Sequence, residues 1–473
     1  MATQTQTISL TARHVGSESG TPPAPALPPI PRKKQVVVLL SAFTTIALTI
    51  GYNQCFGVFQ EYYLSPSQNI LVPSPASQAS PRTALLSFVG TLCYGLTWAG
   101  GILVNPVISR IEDGTWGPTA TPSTRLWRRR ALRLLTPRTI TMLGVVMMVL
   151  GFALASMCTS IWQLLLTQGL LVGFGMSLLY FPLLAPAPEY FTTHRATAMG
   201  FLAAVPAALY SHQSSELLSS LGGRWTLRIF AGFYVVAGLP IAWTVPRSRF
   251  AGVSTAEGPE RRKIHVSRDL ASKPTFIFSA VAAFLQAAGA QLPLAFIPSY
   301  TVNLGQTAFQ GATLLAISNA INAVSRVLTG YAGDRLGRQN LVVVTLCLSA
   351  ASVFAFWLTS VLATTTSSLS LWLAFIVLYS IAAGGYYALF PALIAEVFGI
   401  RQYAAVNASI LVIRGLGTMF GTPVGGQLLG RGDGTRAYAS IAYWDGALLM
   451  GAMACCVGVR WADGKGKGWR WVA

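Results

Sequence analysis

The sequence predicts an all-α membrane protein with twelve spanning helices arranged as two pseudo-symmetric six-helix bundles. Three observations carry that prediction. Of 473 residues, 53% are hydrophobic and only 10% are charged, whereas soluble proteins carry about 25% charged residues. A soluble fold could not hide so much apolar surface, so a polytopic membrane protein is the default class. Apolar runs of the roughly 20 residues needed to cross a bilayer recur along the chain. The basic residues fall on alternate connecting segments, as the positive-inside rule requires.

Residues 1–34 form a tail, rich in Thr, Ser and Pro over 1–30, with no apolar signal-peptide core. Its composition is that of a disordered segment. The N-terminal bundle, 35–246, holds spans at about 35–59, 83–108, 138–158, 161–185, 195–215 and 226–246. The polar linker 247–273 follows, with Arg247, Arg249, Arg261, Arg262, Lys263, Arg268 and Lys273. The C-terminal bundle, 274–460, holds spans at about 275–300, 310–332, 339–361, 370–395, 402–428 and 438–460, before a tail at 461–473.

The charge count tests this layout. With both termini in the cytoplasm, 26 of the 33 Lys and Arg lie in inner segments, and five lie in outer loops: Arg82, Arg224, Arg228, Arg431 and Arg436. One missed helix would swap every later loop, so this ratio supports the helix count. The net charge of +19 therefore reads as membrane orientation rather than nucleic-acid binding. The patch from Arg125 to Arg138 is expected on anionic headgroups.

One short turn is the most informative stretch. Gly330-Tyr331-Ala332-Gly333-Asp334-Arg335-Leu336-Gly337-Arg338 lies between two apolar runs. Its charges are too costly for hydrocarbon, so the turn must face water. It resembles the G-x-x-x-D-R-x-G-R signature of the major facilitator superfamily, and that resemblance implies the major facilitator fold. The halves also repeat each other. Phe181-Pro182 precedes Glu189, Phe191 and Arg195; Phe390-Pro391 precedes Glu396, Phe398 and Arg401. Transporters are often built from such repeats, with the halves rocking about a midplane site. The resemblance implies a C-half latch of Glu396 and Arg401 with Asp334 and Arg335, and an N-half latch that includes Glu189 and Arg195. In the N-half copy of the turn, Asn105 and Pro106 replace the aspartate and the arginine.

Three further stretches resemble the fungal monocarboxylate-transporter-like branch. They are Phe56 to Tyr63, Tyr190 to Gly200, and Gly384-Gly385-Tyr386-Tyr387-Ala388-Leu389-Phe390-Pro391. Where animal monocarboxylate carriers place an Asp and an Arg four apart in the eighth helix, this chain has Asn322 and Arg326. The branch implies porters of carboxylates, vitamins or pathway metabolites, including export of a secondary metabolite.

Two arginines fall inside spans, Arg326 and Arg414. A charge there marks function by default, and a guanidinium can hold a carboxylate through two parallel hydrogen bonds. Asn319, Asn322 and Arg326 share one helical face by their spacing. This face is expected to line the central cavity, with Arg326 and Arg414 attracting an acidic solute. The alternative is that one arginine holds the bundle together. Asn53 and Gln54 in the first span, and Gln286 and Gln291 in the seventh, are expected either at the cavity or in interhelical hydrogen bonds.

Proton coupling would need a group that titrates, which arginine cannot supply. The candidates are Glu61, His212, Glu216 and Asp445 toward the outer ends, with Glu189 and Glu396 at the inner ends. Histidine is the side chain that titrates near neutrality; uncoupled diffusion is the alternative.

No phosphate-loop motif is present, which disfavours an ATP-driven pump. His14, His194, His212 and His265 are too dispersed for a metal site. The six cysteines fall in apolar runs and read as small hydrophobes. The expectation is a monomeric, non-enzymatic porter without cofactors, handling a small molecule in the bilayer. The plasma membrane is favoured, with vacuolar and peroxisomal membranes as alternatives. A nutrient sensor that kept the fold and lost transport is the rival; the short tails favour the transporter.

Overall fold

The computed structural model describes residues 31–71, 79–112, 135–184, 190, 207–246, 266–363, 365–429 and 434–467. Among them every regular element is helical. The helices are α1 Arg32–Leu64, α2 at 79–112 with a break at Gly100, α3 Pro137–Ala155 and α4 Ile161–Leu184. A continuous run, Ala207–Trp243, bends at Gly222 into α5 (207–221) and α6 (223–243). The second half holds α7 Pro274–Asn303, α8 Ala308–Leu336, α9 Arg338–Leu362, α10 Thr365–Phe398, α11 Ile400–Gln427 and α12 Ala439–Lys467.

Eleven described stretches are long and apolar enough to cross a membrane, with α5 and α6 counted as one. The expected fifth span begins at 195, and its residues 195–206 lie outside the described set. The turn between α5 and α6 differs from expectation. Instead of a loop carrying Arg224 and Arg228, the chain reverses at Gly222, with φ 75° and ψ 168°. Only glycine adopts that conformation without a steric penalty. The Gly223 N–H donates to the Tyr62 hydroxyl (3.0 Å) and to Asn69 Oδ1 (3.1 Å), which ties the reversal to the end of α1.

The bilayer's imprint is visible on the surface. Leu143, Val146, Leu150 and Leu154 form an exposed apolar row along α3, a face that suits lipid. Trp225 and Trp243 are exposed at the two ends of α6. Eighteen residues of helix separate them by about 27 Å, close to a hydrocarbon core of about 30 Å. Tryptophan favours both membrane interfaces. Arg228 lies over the Trp225 ring at 4.9 Å and Arg138 over Trp243 at 5.4 Å, so each ring also meets a cation.

The expected close-packing glycines do bring backbones together. On α11, Gly417 and Gly421 leave no room for a Cβ against the backbone of Phe284 and Ala288 on α7. Gly425 continues that stripe against Leu292. Gly173 of α4 packs on Cys93 of α2 in the same way.

The halves pack against each other along α2 with α11, α5 with α8, and α1 with α7. Gly95 of α2 and Gly415 of α11 pack backbone to backbone, each 2.6 Å from the other's would-be Cβ through the carbonyl oxygen. A Cβ on Gly57 of α1 would overlap the Leu294 carbonyl of α7 and lie 3.1 Å from that of Ala295. A Cβ on Gly426 would lie 2.9 Å from Ala84 Cα, and the His212 ring meets Phe309 edge-on at 5.2 Å. The contacts at Gly57, Gly426 and His212 lie toward the face opposite the termini. The structure is therefore closed on that face.

Candidate functional site

Between the halves, a narrow cavity is lined by Gln54 of α1, Ala290 and Leu294 of α7, and two i, i+4 rows. One row is Ser318, Asn319, Asn322 and Arg326 on α8; the other is Tyr379, Ser380, Ala383 and Tyr387 on α10. The predicted face of α8 is thus brought to the cavity, together with Gln54. In this conformation there is room for little more than a water molecule.

Small residues set the approach of α10 to α8. A Cβ on Gly384 would lie 2.7 Å from the Asn322 carbonyl, and one on Gly385 would lie 2.5 Å from Thr345 of α9. The Ser318 and Ser380 hydroxyls bond at 2.7 Å, and Ser325 donates to the Ile381 carbonyl. That fit seats Tyr387 beside Arg326.

Arg326 donates from Nε to Asn322 Oδ1 at 2.9 Å, and its Cζ lies 4.8 Å from the centre of the Tyr387 ring. Arg414 of α11, 8% exposed, lies over the same ring at 5.1 Å and over Tyr386 at 5.2 Å. Two guanidinium groups therefore share one tyrosine. Such contacts hold a cation by the negative face of the ring, and a guanidinium is the cation whose planar fork matches a planar anion. Tyr94 of α2 lies within electrostatic reach of both arginines, so the opposite half also faces them.

Other predicted contacts distribute differently. Asn53 is buried within the N half, where its amide donates to the Thr49 carbonyl at 3.0 Å and contacts Met176 Sδ at 3.3 Å. The Met176 contact ties α1 to α4, while Asn53 Oδ1 has no partner among the described residues. Gln291 reaches the cavity wall from behind, with Nε2 3.5 Å from the Tyr387 hydroxyl. Sequence reasoning quoted Tyr386 and Tyr387 only for their resemblance and missed their role; their place directly after a Gly-Gly pair was the available signal.

The coupling candidates are scattered. His212 Nδ1 lies 3.8 Å from Glu216 Oε1, and both are substantially exposed. Glu61 is partly buried near the end of α1. Asp445, on α12, is fully buried.

At the terminus face, Gly337 joins α8 to α9 as a single residue with φ 90°, while nothing crowds Gly330. Arg335 lies over Tyr331 at 4.6 Å. Glu396 Oε1 accepts from Gln339 Nε2 at 2.8 Å, and the same nitrogen donates to Asp463 Oδ2 at 3.0 Å. Glu396 is thus joined through one amide to Asp463 of α12. Arg338 begins α9 beside this bridge. Glu189 and Arg195 lie outside the described residues, as do the side chains of Asp334 and Arg401. Gln339→Leu removes the amide between two carboxylates. It is expected to lower stability by about 1–3 kcal/mol, measured as a lower midpoint of thermal unfolding in detergent.

A two-bundle membrane protein with a polar cavity between its halves has the architecture on which many small-molecule transporters are built. The sequence model of the Major Facilitator Superfamily matches residues 126–422, and the chain belongs to that family. It is 27% identical over 408 residues to the MFS-type transporter pynF of Aspergillus niger, covering 85% of this chain and 83% of the relative. It is 25% identical to the aspyridones efflux protein apdF of Emericella nidulans, covering 95% of this chain and 83% of the relative. It is 24% identical to the agnestins efflux protein AgnL12 of Paecilomyces divaricatus, covering 84% and 81%. Among solved structures, a D-xylose-proton symporter superposes with TM-score 0.63 at 16% identity, over 93% of this chain and 98% of that one. A partially occluded inward-open xylose transporter XylE from E. coli gives 0.61 at 15% identity, covering 88% and 97%. These likenesses show the fold. The protein is a multi-pass integral membrane transporter.

Proposed function

We propose that this transporter moves a small organic anion, a carboxylate or similarly acidic molecule, by alternating access, and that it exports a secondary metabolite. The observation that carries the reading is the pair of guanidinium groups, Arg326 and Arg414, over one tyrosine at the cavity wall. Two cations so placed repel each other, and an anion between them relieves that repulsion. Asn322 already orients Arg326, so part of the binding geometry is in place before the solute arrives. The tight cavity admits the solute only when the halves part. Export is supported by the efflux proteins among the relatives.

The assignment to the monocarboxylate-porter-like branch is supported by the three stretches that resemble it. Cytoplasmic termini are supported by the 26-to-5 distribution of basic residues, and the plasma membrane is the membrane that export requires. Tags at the start, the linker and the end should all report the cytoplasmic side.

The deciding experiment compares metabolites inside and outside cells with and without the protein. An acidic metabolite should accumulate inside without it and appear in the medium with it. An unchanged profile would remove the transport reading. A profile in which only neutral or cationic compounds move would remove the anion.

A further inference from the structure

We propose that Asp445 is a proton-carrying site of the transporter, packed against Gly289 of α7 next to the cavity-lining Ala290. Asp445 lies in the second turn of α12 and is 0% exposed. Its carboxylate faces α7 where Gly289 supplies no side chain; a Cβ there would lie 3.1 Å from Oδ1 and 3.2 Å from Leu449. The neighbouring Gly446 packs on Phe354 of α9, within a π-helical turn at Val353–Leu358. Among the described residues neither carboxylate oxygen has a hydrogen-bond partner.

The surrounding groups decide what this carboxyl holds. The whole of α7 carries no charged side chain, and α9 carries none beyond Arg338 at its start. From α11 the nearest cation in sequence is Arg414, two helical turns from Gly421, whose carbonyl accepts the indole N–H of Trp444 at 3.3 Å. From α10 the titratable group in electrostatic reach is the Tyr379 phenol. An ionised carboxylate with no partner in such surroundings costs several kcal/mol, and the neutral acid is the form that fits. A metal ion does not fit, because hard cations demand about six oxygen ligands and one carboxylate offers two.

Tyr379 connects this acid to the transport route. It lines the cavity, and its hydroxyl also lacks a partner among the described residues. Tyr379 and Tyr387 stand eight residues apart on one helix, about 12 Å along its axis. The Arg326 guanidinium thus lines the cavity, and a lone carboxyl packs against Gly289 beside it. When the halves part and water enters, the acid gives its proton to water and becomes a carboxylate; closure requires the proton back. This inference rests on the transporter fold and not on the charge of the solute.

Infrared spectroscopy of the purified full-length protein in lipid nanodiscs tests it without a substrate. At neutral pH the wild type should show the C=O stretch of a protonated, non-hydrogen-bonded carboxylic acid. D445N should lack the band. The band should shift in D2O as the protein cycles through its water-filled state. Gly289→Ala, which presses a methyl group toward Oδ1, should move the band and serves if D445N fails to fold. Absence of the band, its survival in D445N, or its displacement by added sodium would overturn the proposal. A band that never shifts in D2O while peripheral amides exchange would do the same, since the proton would then be fixed.

Discussion

Replacing either Arg326 or Arg414 with alanine is expected to abolish export while the protein reaches the membrane at its normal level. Each guanidinium stands on Tyr387 at about 5 Å, and neither substitution removes a helix-packing residue of the glycine stripes. Truncating one partner of a buried, hydrogen-bonded charge pair costs about 2–5 kcal/mol, so solute affinity should fall at least about twentyfold. Arg326→Lys and Arg414→Lys separate charge from shape. Lysine keeps the cation but loses the planar fork, so intermediate activity is expected. Because both arginines share one ring, the losses in the double variant should not add. The readout is efflux of the acidic metabolite found by the whole-cell comparison, with surface protein quantified in parallel. Full efflux in both alanine variants would remove the anion site.

Gly57→Val is expected to stop turnover by a different route. The first atom of any side chain at Gly57 would overlap the Leu294 carbonyl, and backbone cannot step aside as a flexible side chain can. The collision lies between the halves, so each bundle still folds on its own packing. Only the conformation closed on the face opposite the termini is penalised. Overpacking costs about 1–3 kcal/mol, which shifts the balance of access states by about 5–150-fold. A cysteine at Ser318, which lines the cavity, reports the shift. In the Gly57→Val background it should react faster with a membrane-impermeant maleimide added from the opposite face. Unchanged reactivity with normal export would show that this contact does not govern closure.

Much of this was legible before any coordinates. Hydropathy placed the helices because a spanning helix needs a long apolar run whatever its neighbours. The face of Asn319, Asn322 and Arg326 was legible because three residues at helical spacing fix a side. Asn53 was not legible. A single polar residue fixes no side, and its Nδ2 donates to the Thr49 carbonyl one turn back while its Oδ1 has no partner among the described residues. The α5–α6 boundary was misplaced because Gly222-Gly223-Arg224 has the composition of a loop, while glycine alone completes the reversal. Tyr387 looked like any aromatic in a membrane helix until α8 and α11 each set a cation against it. The Gln339 bridge joins residues 57 and 124 positions away, a separation that no local pattern encodes.

The reversals at Gly222 and Gly337 bear on how the chain is made. A single residue between two helices leaves no slack for one helix to wait in water while its partner enters lipid. Each pair, α5 with α6 and α8 with α9, must therefore leave the translocon as one hairpin. A bulkier residue at either glycine would be felt first during biogenesis, as nascent chains sent for degradation, before any defect in turnover could be measured.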